Sequence, residues 1–150
     1  MGIKIIADNR KAYFNYEILE KFEAGMVLMG SEVKSLREGN LTLKDAYVSF
    51  RNGEAFLQNA HISEYQASSY NNHPPERLRK LLMHKAEIEK IMGRVQEKSL
   101  TCVPLKMYFK GGRIKLEIGL GKGKKQYDKR QSVKEKESKR DLQRTLKHNR

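Results

Sequence analysis

The sequence predicts a mainly β fold: an antiparallel barrel of about six strands, flanked by two or three helices. Three observations predict it. Most apolar residues recur with a period of two, tight glycine-containing turns join the segments, and no strand–helix–strand rhythm of a doubly wound sheet is present. A chain of 150 residues is most economically one domain, with enough residues to bury a core.

The N-terminal third predicts a strand and then a helix. Phe14, Tyr16 and Ile18 alternate in "YFNYEILEKFEAG", which predicts a strand with Phe14 in the core. The segment "GSEVKSLREGN" predicts a short helix that Gly39 and Asn40 close.

A hairpin and a loop follow. Apolar residues alternate over residues 46–50 and lead into Asn52-Gly53, the strongest short hairpin signal, after which residues 54–62 return. Residues 63–77 predict a long polar loop.

The next segment predicts a helix. In "HKAEIEKIMGRVQEKS" the residues Ile88, Ile91, Met92 and Val95 lie at i, i+3, i+4 and i+7, the spacing of one helix face. The preceding "RKLLM" is compatible with either type of element.

A final hairpin ends the predicted barrel. Apolar residues alternate over 103–109, Gly111 and Gly112 form the turn, and 114–120 alternate back. Pro104 cannot donate a ladder hydrogen bond, so we expect it at an edge or at the start of pairing. These hairpin connections favour a barrel of the oligonucleotide-binding type.

Basic charge is concentrated at the C-terminal end. The net charge is +13, and residues 121–150 contain 12 basic and 4 acidic residues, which contribute +8. A polyanionic partner is indicated, and no membrane, because no apolar run reaches spanning length.

The concentration of charge divides the chain into a folded RNA-binding domain, residues 1–120, and a tail, residues 121–150. Ser132 followed by Glu135 forms a capping-box pattern, which predicts a tail that is helical when bound.

Enzymatic chemistry is not indicated. "GLGKGKK" fails as a dinucleotide fingerprint because Lys124 occupies the third glycine's place, and the four histidines lack metal-ligand spacing. We interpret Cys102 as a small strand residue. With one cysteine and no secretory signal, we predict a cytoplasmic protein with no cofactor, no metal and no small-molecule substrate.

Two basic clusters predict RNA contacts. Asn9, Arg10 and Lys11 precede an aromatic-rich segment, and cations beside exposed rings are typical of RNA surfaces. The second cluster consists of Arg77, Arg79 and Lys80.

Four long runs together cover nearly the whole chain: "NRKAYFNYEILEKFEAGMVLMGSEVKSLREGNLTLKDAYVSF", "GEAFLQNAHIS", "RKLLMHKAEIEKIMGRVQEK" and "VPLKMYFKGGRIKLEIGLGKGKKQYDKR". In these runs the chain resembles a known family, the bacterial tmRNA-binding protein small protein B. This resemblance implies an oligonucleotide-binding-like barrel that binds the tRNA-like domain of tmRNA and delivers it to stalled ribosomes for trans-translation. The implied partners are tmRNA, the ribosome with its small-subunit ribosomal RNA, and elongation factor Tu.

The resemblance also implies site residues. The family's tmRNA-binding positions match Asn9, Glu23 and Leu82. Glu23 could accept a hydrogen bond from a base amino group or a ribose hydroxyl, or could simply pair with a neighbouring cation such as Lys21 or Arg10. Leu82 could be a contact or hydrophobic support. His84 stands where the family often has Asn, which leaves its role open.

The tail's first residues are expected to act on the ribosome. Lys122, Lys124 and Lys125 would neutralise phosphates. By resemblance, the following residues enter the decoding region: Tyr127 as a stacking ring, where some members have His, and Asp128, Lys129 and Arg130 gripping the surroundings. The alternatives are a general RNA-binding or ribosome-assembly module without a tmRNA role and, less favoured, a nuclease.

Overall fold

The computed structural model describes residues 2–66, 72–124 and 130. Within these ranges the chain forms nine strands and three helices, so the predicted mainly β class is confirmed. β1 and two strands of only two residues raise the number of strands above the six expected. In chain order the elements are β1 (Ile3–Asp8), α1 (Arg10–Asn15), β2 (Tyr16–Met26), α2 (Gly30–Arg37), β3 (Leu41–Thr42), β4 (Tyr47–Arg51), β5 (Glu54–Gln58), β6 (His61–Ile62), β7 (Arg79–Leu82), α3 (Lys85–Lys98), β8 (Thr101–Lys110) and β9 (Arg113–Gly123).

Seven of the strands form one antiparallel sheet in the order β1-β8-β9-β2-β7-β5-β4. β3 and β6 form a separate antiparallel pair. β4, at one edge of the large sheet, also contacts β8, which is next to the opposite edge. The sheet therefore curls round toward closure, as the predicted barrel requires.

The two predicted hairpin turns are confirmed. Asn52 and Gly53 have φ of 52° and 75°, and Gly111 and Gly112 have φ of 57° and 77°. Two-residue hairpin turns of the type that matches strand twist need positive φ at both positions, which explains these residue types. The turns join β4 to β5 and β8 to β9.

A large apolar cluster fills the inside of the curled sheet. It includes the inner side chains of β5, β7 and β9, and both longer helices contribute to it through Leu36 of α2 and Ile88 and Ile91 of α3. A second, smaller cluster on the other face of the sheet contains Ala12, Val103 and Leu105. α1 covers the sheet there.

A register shift divides β8 between these two clusters. The alternation over 103–109 predicts one buried face, but Val103 and Leu105 lie in the small cluster while Met107 lies in the large one. The shift falls between Pro104 and Lys106, and an extra residue in a strand moves all later side chains to the opposite face. Pro104 lies at this bulge. The pairing of β8 with β1 ends at Lys106, opposite the last residue of β1, so Pro104 lies just outside that pairing.

The predicted strand at Phe14 is wrong. Residues 10–15 form α1, and the strand begins at Tyr16. Phe14 is 40% exposed and is therefore not a core residue, whereas Ala12 is buried against β8. Three alternating residues fit a short helix followed by a strand as well as they fit one strand, so the local pattern could not distinguish the two.

A buried ion pair holds β7 to α2, and a second arginine holds the end of the predicted loop to the same carboxylate. Glu32 and Arg79 have fully buried side chains, and Nε of Arg79 donates to Oε2 of Glu32 at 2.5 Å. Nη2 of Arg77 donates to Oε1 of the same carboxylate, also at 2.5 Å. The predicted RNA-binding cluster of Arg77, Arg79 and Lys80 is therefore wrong for Arg79, whose guanidinium also donates to the backbone carbonyls of Ala60 and Pro75.

His73 is a second buried link between the loop and its surroundings. Its Nε2 lies 2.8 Å from the carbonyl oxygen of Ile62, to which it donates, so its Nδ1 accepts from the hydroxyl of Ser31 at 2.9 Å. Both ring nitrogens therefore have a hydrogen-bond partner inside the protein. The described part of the predicted polar loop is thus anchored in the protein interior; residues 67–71 lie outside the described ranges.

Candidate RNA-binding surface

Glu23 lies on the outer face of β2, where three neighbouring strands contribute polar side chains. The hydroxyl of Tyr108 in β8 donates to its Oε2, and Nζ of Lys110 lies 3.3 Å from the same oxygen. Glu117 of β9 is its cross-strand neighbour. The alternative in which Glu23 pairs with a cation is therefore met by Lys110; the suggested Lys21 lies with its Nζ 3.7 Å from Glu117 instead.

These contacts keep Glu23 ionised. The Tyr108 hydrogen bond is the largest influence on the pKa of Glu23 and lowers it; partial desolvation opposes this, and Lys110 and Lys115 lower it further. Burial, and then Glu23 itself, raises the pKa of Tyr108, which therefore stays a protonated donor. The result is a fixed negative charge on a predominantly basic protein.

The structure brings Glu23 and Leu82 together. Leu82 lies opposite Gly25 in the β2–β7 pairing, and its side chain is 52% exposed. Both border a groove of about 410 Å³. A Cβ atom built on Gly25 would lie 3.4 Å from Cβ of Leu82 and 3.7 Å from Nζ of Lys115, so the missing side chain leaves the floor of the groove open. The groove is lined by Glu23, Gly25, Leu82, Met83, His84, Glu87 and Lys115.

His84 is the N-cap residue of α3, and it makes no side-chain cap hydrogen bond. Its predicted place at the start of the helix is confirmed. Its ring is exposed at the edge of the groove, which leaves it available to a ligand.

Asn9 lies apart from the groove, at the junction of β1 and α1. It is only 5% exposed, its backbone N–H donates to Leu105 at 2.7 Å, and its side-chain Nδ2 donates to the carbonyl of Pro104 at 2.9 Å. In this structure its amide therefore fixes α1 against β8 at the bulge. A direct contact of Asn9 with RNA stays a prediction.

The basic residues Arg10 and Lys11 lie on α1, whose C-terminal end adjoins the end of β9, where the tail begins. Both are exposed on α1, and Lys11 also forms a salt bridge of 3.7 Å with Asp45. Tyr16 pairs with Gly123, and the backbone N–H of Lys124 donates to the carbonyl of Asn15 at 2.9 Å. Lys122 and Lys124, the last residues before the next gap in the description, therefore adjoin α1.

Two exposed aromatic rings lie on the same helix. Tyr13 is 44% and Phe14 40% exposed, and Nζ of Lys21 lies 5.6 Å from the centre of the Tyr13 ring. Exposed rings among cations can stack on unpaired bases. The predictions considered such a role for these rings but placed Phe14 in the core. The Tyr13–Phe14 face together with the neighbouring cations is called the α1 surface below.

Most of the predicted decoding residues lie outside the described ranges. These are Tyr127, Asp128 and Lys129; Lys125, predicted to neutralise phosphates, lies outside the ranges as well. Arg130 is helical and exposed. Their ribosomal role stays a prediction.

Sequence reasoning missed Tyr108, Lys110 and Lys115 at the site. Tyr108 and Lys110 occupy the outward positions between the alternating residues of β8, so their orientation could be inferred locally. Their meeting with Glu23 could not, because it depends on the pairing of β8 and β2 through β9.

The described residues contain no group of three or more His, Cys, Asp or Glu that could hold a metal ion. Cys102 is buried, and burial raises the pKa of its thiol to about 12, consistent with its interpretation as a small strand residue. No helix in the described part of the chain is long and apolar enough to cross a membrane.

Comparisons with known proteins agree over nearly the full length. The family model described as SmpB protein matches residues 6–148. The SsrA-binding protein of Microcystis aeruginosa is 60% identical over 146 residues, covering 97% of this chain and 95% of that protein. That of Syntrophobacter fumaroxidans is 56% identical over 147 residues, covering 98% and 91%. A solved structure, "tmRNA-SmpB: a journey to the center of the bacterial ribosome", matches with TM-score 0.68 at 44% identity, covering 85% of this chain and 93% of that chain.

Proposed function

Because this chain belongs to the SmpB protein family, we propose that it binds the tRNA-like domain of tmRNA and delivers it to stalled ribosomes for trans-translation. The names of the relatives give SsrA as their ligand, and the similar solved structure concerns tmRNA, SmpB and the bacterial ribosome. The protein acts by binding rather than by catalysis, and works in the cytoplasm, where ribosomes translate.

The observation that best supports this proposal is the groove that both Glu23 and Leu82 border. It combines an ionised acceptor, an exposed apolar side chain and Lys115 as a cation. A carboxylate repels phosphate, so on an RNA-binding surface it adds specificity, by accepting a hydrogen bond from a base or ribose, rather than general affinity.

The barrel and the tail divide the work. Residues 1–120 bind the tRNA-like domain, and residues 121–150 enter the decoding region and messenger RNA channel of the small subunit. There Tyr127 stacks on a base, and Asp128, Lys129 and Arg130 bind the surrounding RNA. The tail thus takes the place of the missing codon–anticodon pair. Elongation factor Tu accompanies the complex during delivery.

Substitution of Glu23 tests the groove. We expect Glu23→Ala to weaken binding of the tRNA-like domain in a gel-shift titration while thermal unfolding stays nearly unchanged. Glu54→Ala is the matched control, because Glu54 is also an exposed carboxylate on the sheet, paired with Lys80 at 3.2 Å. Loss of a negative charge at either place reduces repulsion, so equal or tighter binding by both variants would contradict a specific contact at Glu23.

A competition at fixed salt separates this function from general RNA binding. The protein should prefer the tRNA-like domain to a random RNA of equal length, although phosphate contacts make both affinities fall steeply with salt. Equal affinities for the two RNAs would indicate a general RNA-binding or ribosome-assembly module.

A further inference from the structure

Tyr108 has an unusual place beside the groove. The residue is only 4% exposed, yet its hydroxyl reaches the outer face of the sheet and donates to Oε2 of Glu23. The ring is fixed by burial, and Nζ of Lys106 lies 5.8 Å from its centre. A buried ring loses little conformational freedom when it forms this bond, whereas a lysine side chain loses a great deal.

The neighbouring carboxylate provides an internal comparison. Glu117 pairs with Glu23 across β2 and β9, but it is held by two lysines, Lys21 at 3.7 Å and Lys106 at 3.6 Å. Exposed lysine pairs are weak and adaptable, because the ammonium is a point charge on a flexible stem. In addition to its lysine contact, Glu23 receives a directional hydrogen bond from a rigid neutral donor.

The two oxygens of Glu23 are consequently unequal. Oε2 accepts from Tyr108 and lies 3.3 Å from Nζ of Lys110, while Oε1 has a longer contact of 3.5 Å with the same nitrogen. The side chain of Glu23 remains 38% exposed. Oε1 is therefore the freer acceptor of the pair.

Building on the proposed function, we propose that Tyr108 is a positioning residue for RNA recognition, whose hydroxyl fixes Oε2 of Glu23 so that Oε1 accepts from an N–H or O–H group of the RNA. The group recognised is a base amino or imino hydrogen or a ribose hydroxyl; a phosphate has no proton to donate at neutral pH. Lys110 and Lys115 attract the neighbouring phosphates without fixing orientation.

The hydrogen bond from Tyr108 also affects the ionisation of Glu23. Since the Tyr108 bond is the largest influence lowering the pKa of Glu23, the carboxylate stays charged to a lower pH than an ordinary glutamate. Removal of the hydroxyl should move that pKa upward, toward the ordinary value of about 4.3. Binding that needs the charged acceptor would then be lost at a higher pH.

A double-mutant cycle tests the proposal. Tyr108→Phe removes one hydroxyl and keeps the buried ring. We expect it to weaken binding of the tRNA-like domain roughly tenfold in the wild-type background and hardly at all in a Glu23→Ala background. If Tyr108 has only a structural role, Tyr108→Phe will lower the affinity equally in both backgrounds, and this result would overturn the proposal. Unchanged affinity of Tyr108→Phe in the wild-type background would overturn it too.

The pH profile of binding gives a second, independent result. The acid loss of affinity should begin at a higher pH in Tyr108→Phe than in the wild type, and Glu23→Gln should lack this transition. The wild-type profile is informative even if Tyr108→Phe fails to fold, because a Glu23-dependent loss with its midpoint at or above the ordinary glutamate pKa contradicts the proposed role.

The outcomes also separate this inference from the proposed function. A wild-type protein with no preference for the tRNA-like domain would overturn both. If the preference is present and Glu23→Ala weakens it, but Tyr108→Phe binds normally, the function stands and the role of Tyr108 is refuted.

Discussion

At the scale of single residues, the groove combines groups that do different work. Glu23 supplies an oriented acceptor, and Lys115 supplies charge without direction. Leu82 supplies apolar area: exposure of 52% for a leucine is unremarkable alone, but it borders the same groove as the acceptor. In the proposed function, specificity and affinity thus come from different residue types within one groove.

Gly25 offers a test of whether the groove itself holds RNA. Its φ lies outside the left-handed region, so a side chain is compatible with the strand backbone, and the added Cβ would meet Leu82 at ordinary contact distance. We expect Gly25→Val to fill the floor and weaken binding of the tRNA-like domain severalfold, with Gly25→Ala intermediate.

Gly123→Ala is the control for this series, since nothing lies within 4 Å of a Cβ built there. Gel-shift affinities alongside thermal unfolding measure the effect. Undiminished affinity in a folded Gly25→Val protein would place the RNA elsewhere on the barrel.

At the scale of elements, the Glu32–Arg79 pair connects α2 to β7 and to the loop before it. Burial of Glu32 alone would raise its pKa, but the hydrogen bonds from Arg77, the Met29 backbone and Arg79 outweigh this and lower the pKa below its ordinary value. Glu32 also accepts from the N–H of Met29 at 2.8 Å, as in a capping box, so the start of α2 depends on the same carboxylate.

We predict that Arg79→Ala lowers the free energy of unfolding by about 3–5 kcal/mol, because it leaves Glu32 buried without this partner. Lys80→Ala, one residue away in an exposed pair with Glu54, should cost about 0–1 kcal/mol. Urea denaturation measures both. Similar small losses in the two variants would mean that the pair is not effectively buried.

The same pair gives stability a pH dependence of known sign. Because the pKa of Glu32 is lowered in the folded protein, its stabilisation is present above the unfolded value of about 4.3 and is lost as the pH falls through the folded value. Denaturation of Glu32→Gln should therefore depend less on pH in this acid range. If the free energy of unfolding of Glu32→Gln depends on pH as steeply as that of the wild type, other groups cause the dependence.

Local elements could be predicted from the sequence, and distant pairings could not. The hairpins at residues 52–53 and 111–112 and the face of α3 depend on turn chemistry and periodicity within a few residues, and all three were confirmed. The bulge after Pro104 reverses the faces of β8, a change that alternation alone does not predict. Arg79, read as part of a basic surface, is buried because Glu32 lies opposite it across 47 positions of sequence.

Resemblance and structure contributed differently to the site. Asn9, Glu23 and Leu82 came from the family pattern, and the structure places Glu23 and Leu82 on one groove and buries Asn9 at the bulge. The contact of Tyr108 with Glu23 had no signal in the sequence, since the two residues are 85 positions apart.

At the scale of the whole molecule, β9 connects the two regions proposed to contact RNA, which are the groove and the start of the tail. Lys115 borders the groove, and the strand continues to Gly123 beside the α1 surface. Eight residues of extended strand span about 26 Å. One rigid strand therefore sets the distance between the site proposed for the tRNA-like domain and the start of the tail, so that two weak RNA contacts can act together.

The last prediction separates the two contact regions. A chain ending at Lys124 keeps all the elements from β1 to β9, including α1, α2 and α3, and the backbone bond from Lys124 to Asn15. We expect it to unfold at nearly the wild-type temperature and to keep much of its affinity for the tRNA-like domain, because the groove is intact. It should nevertheless fail to support tag addition in a reconstituted stalled-translation reaction, since the residues proposed for the decoding region are gone.

A full-length protein with Asp128, Lys129 and Arg130 all replaced by alanine is the companion variant. It keeps the tail's length and most of its charge, so failure to tag would point to these side chains rather than to general attraction for ribosomal RNA. A further variant keeps Asp128, Lys129 and Arg130 but has the charged residues after position 130 replaced by neutral ones. If the three residues act specifically, this variant should support tagging in part. Normal tagging by the chain that ends at Lys124 would refute the decoding role of the tail and leave delivery to the barrel alone.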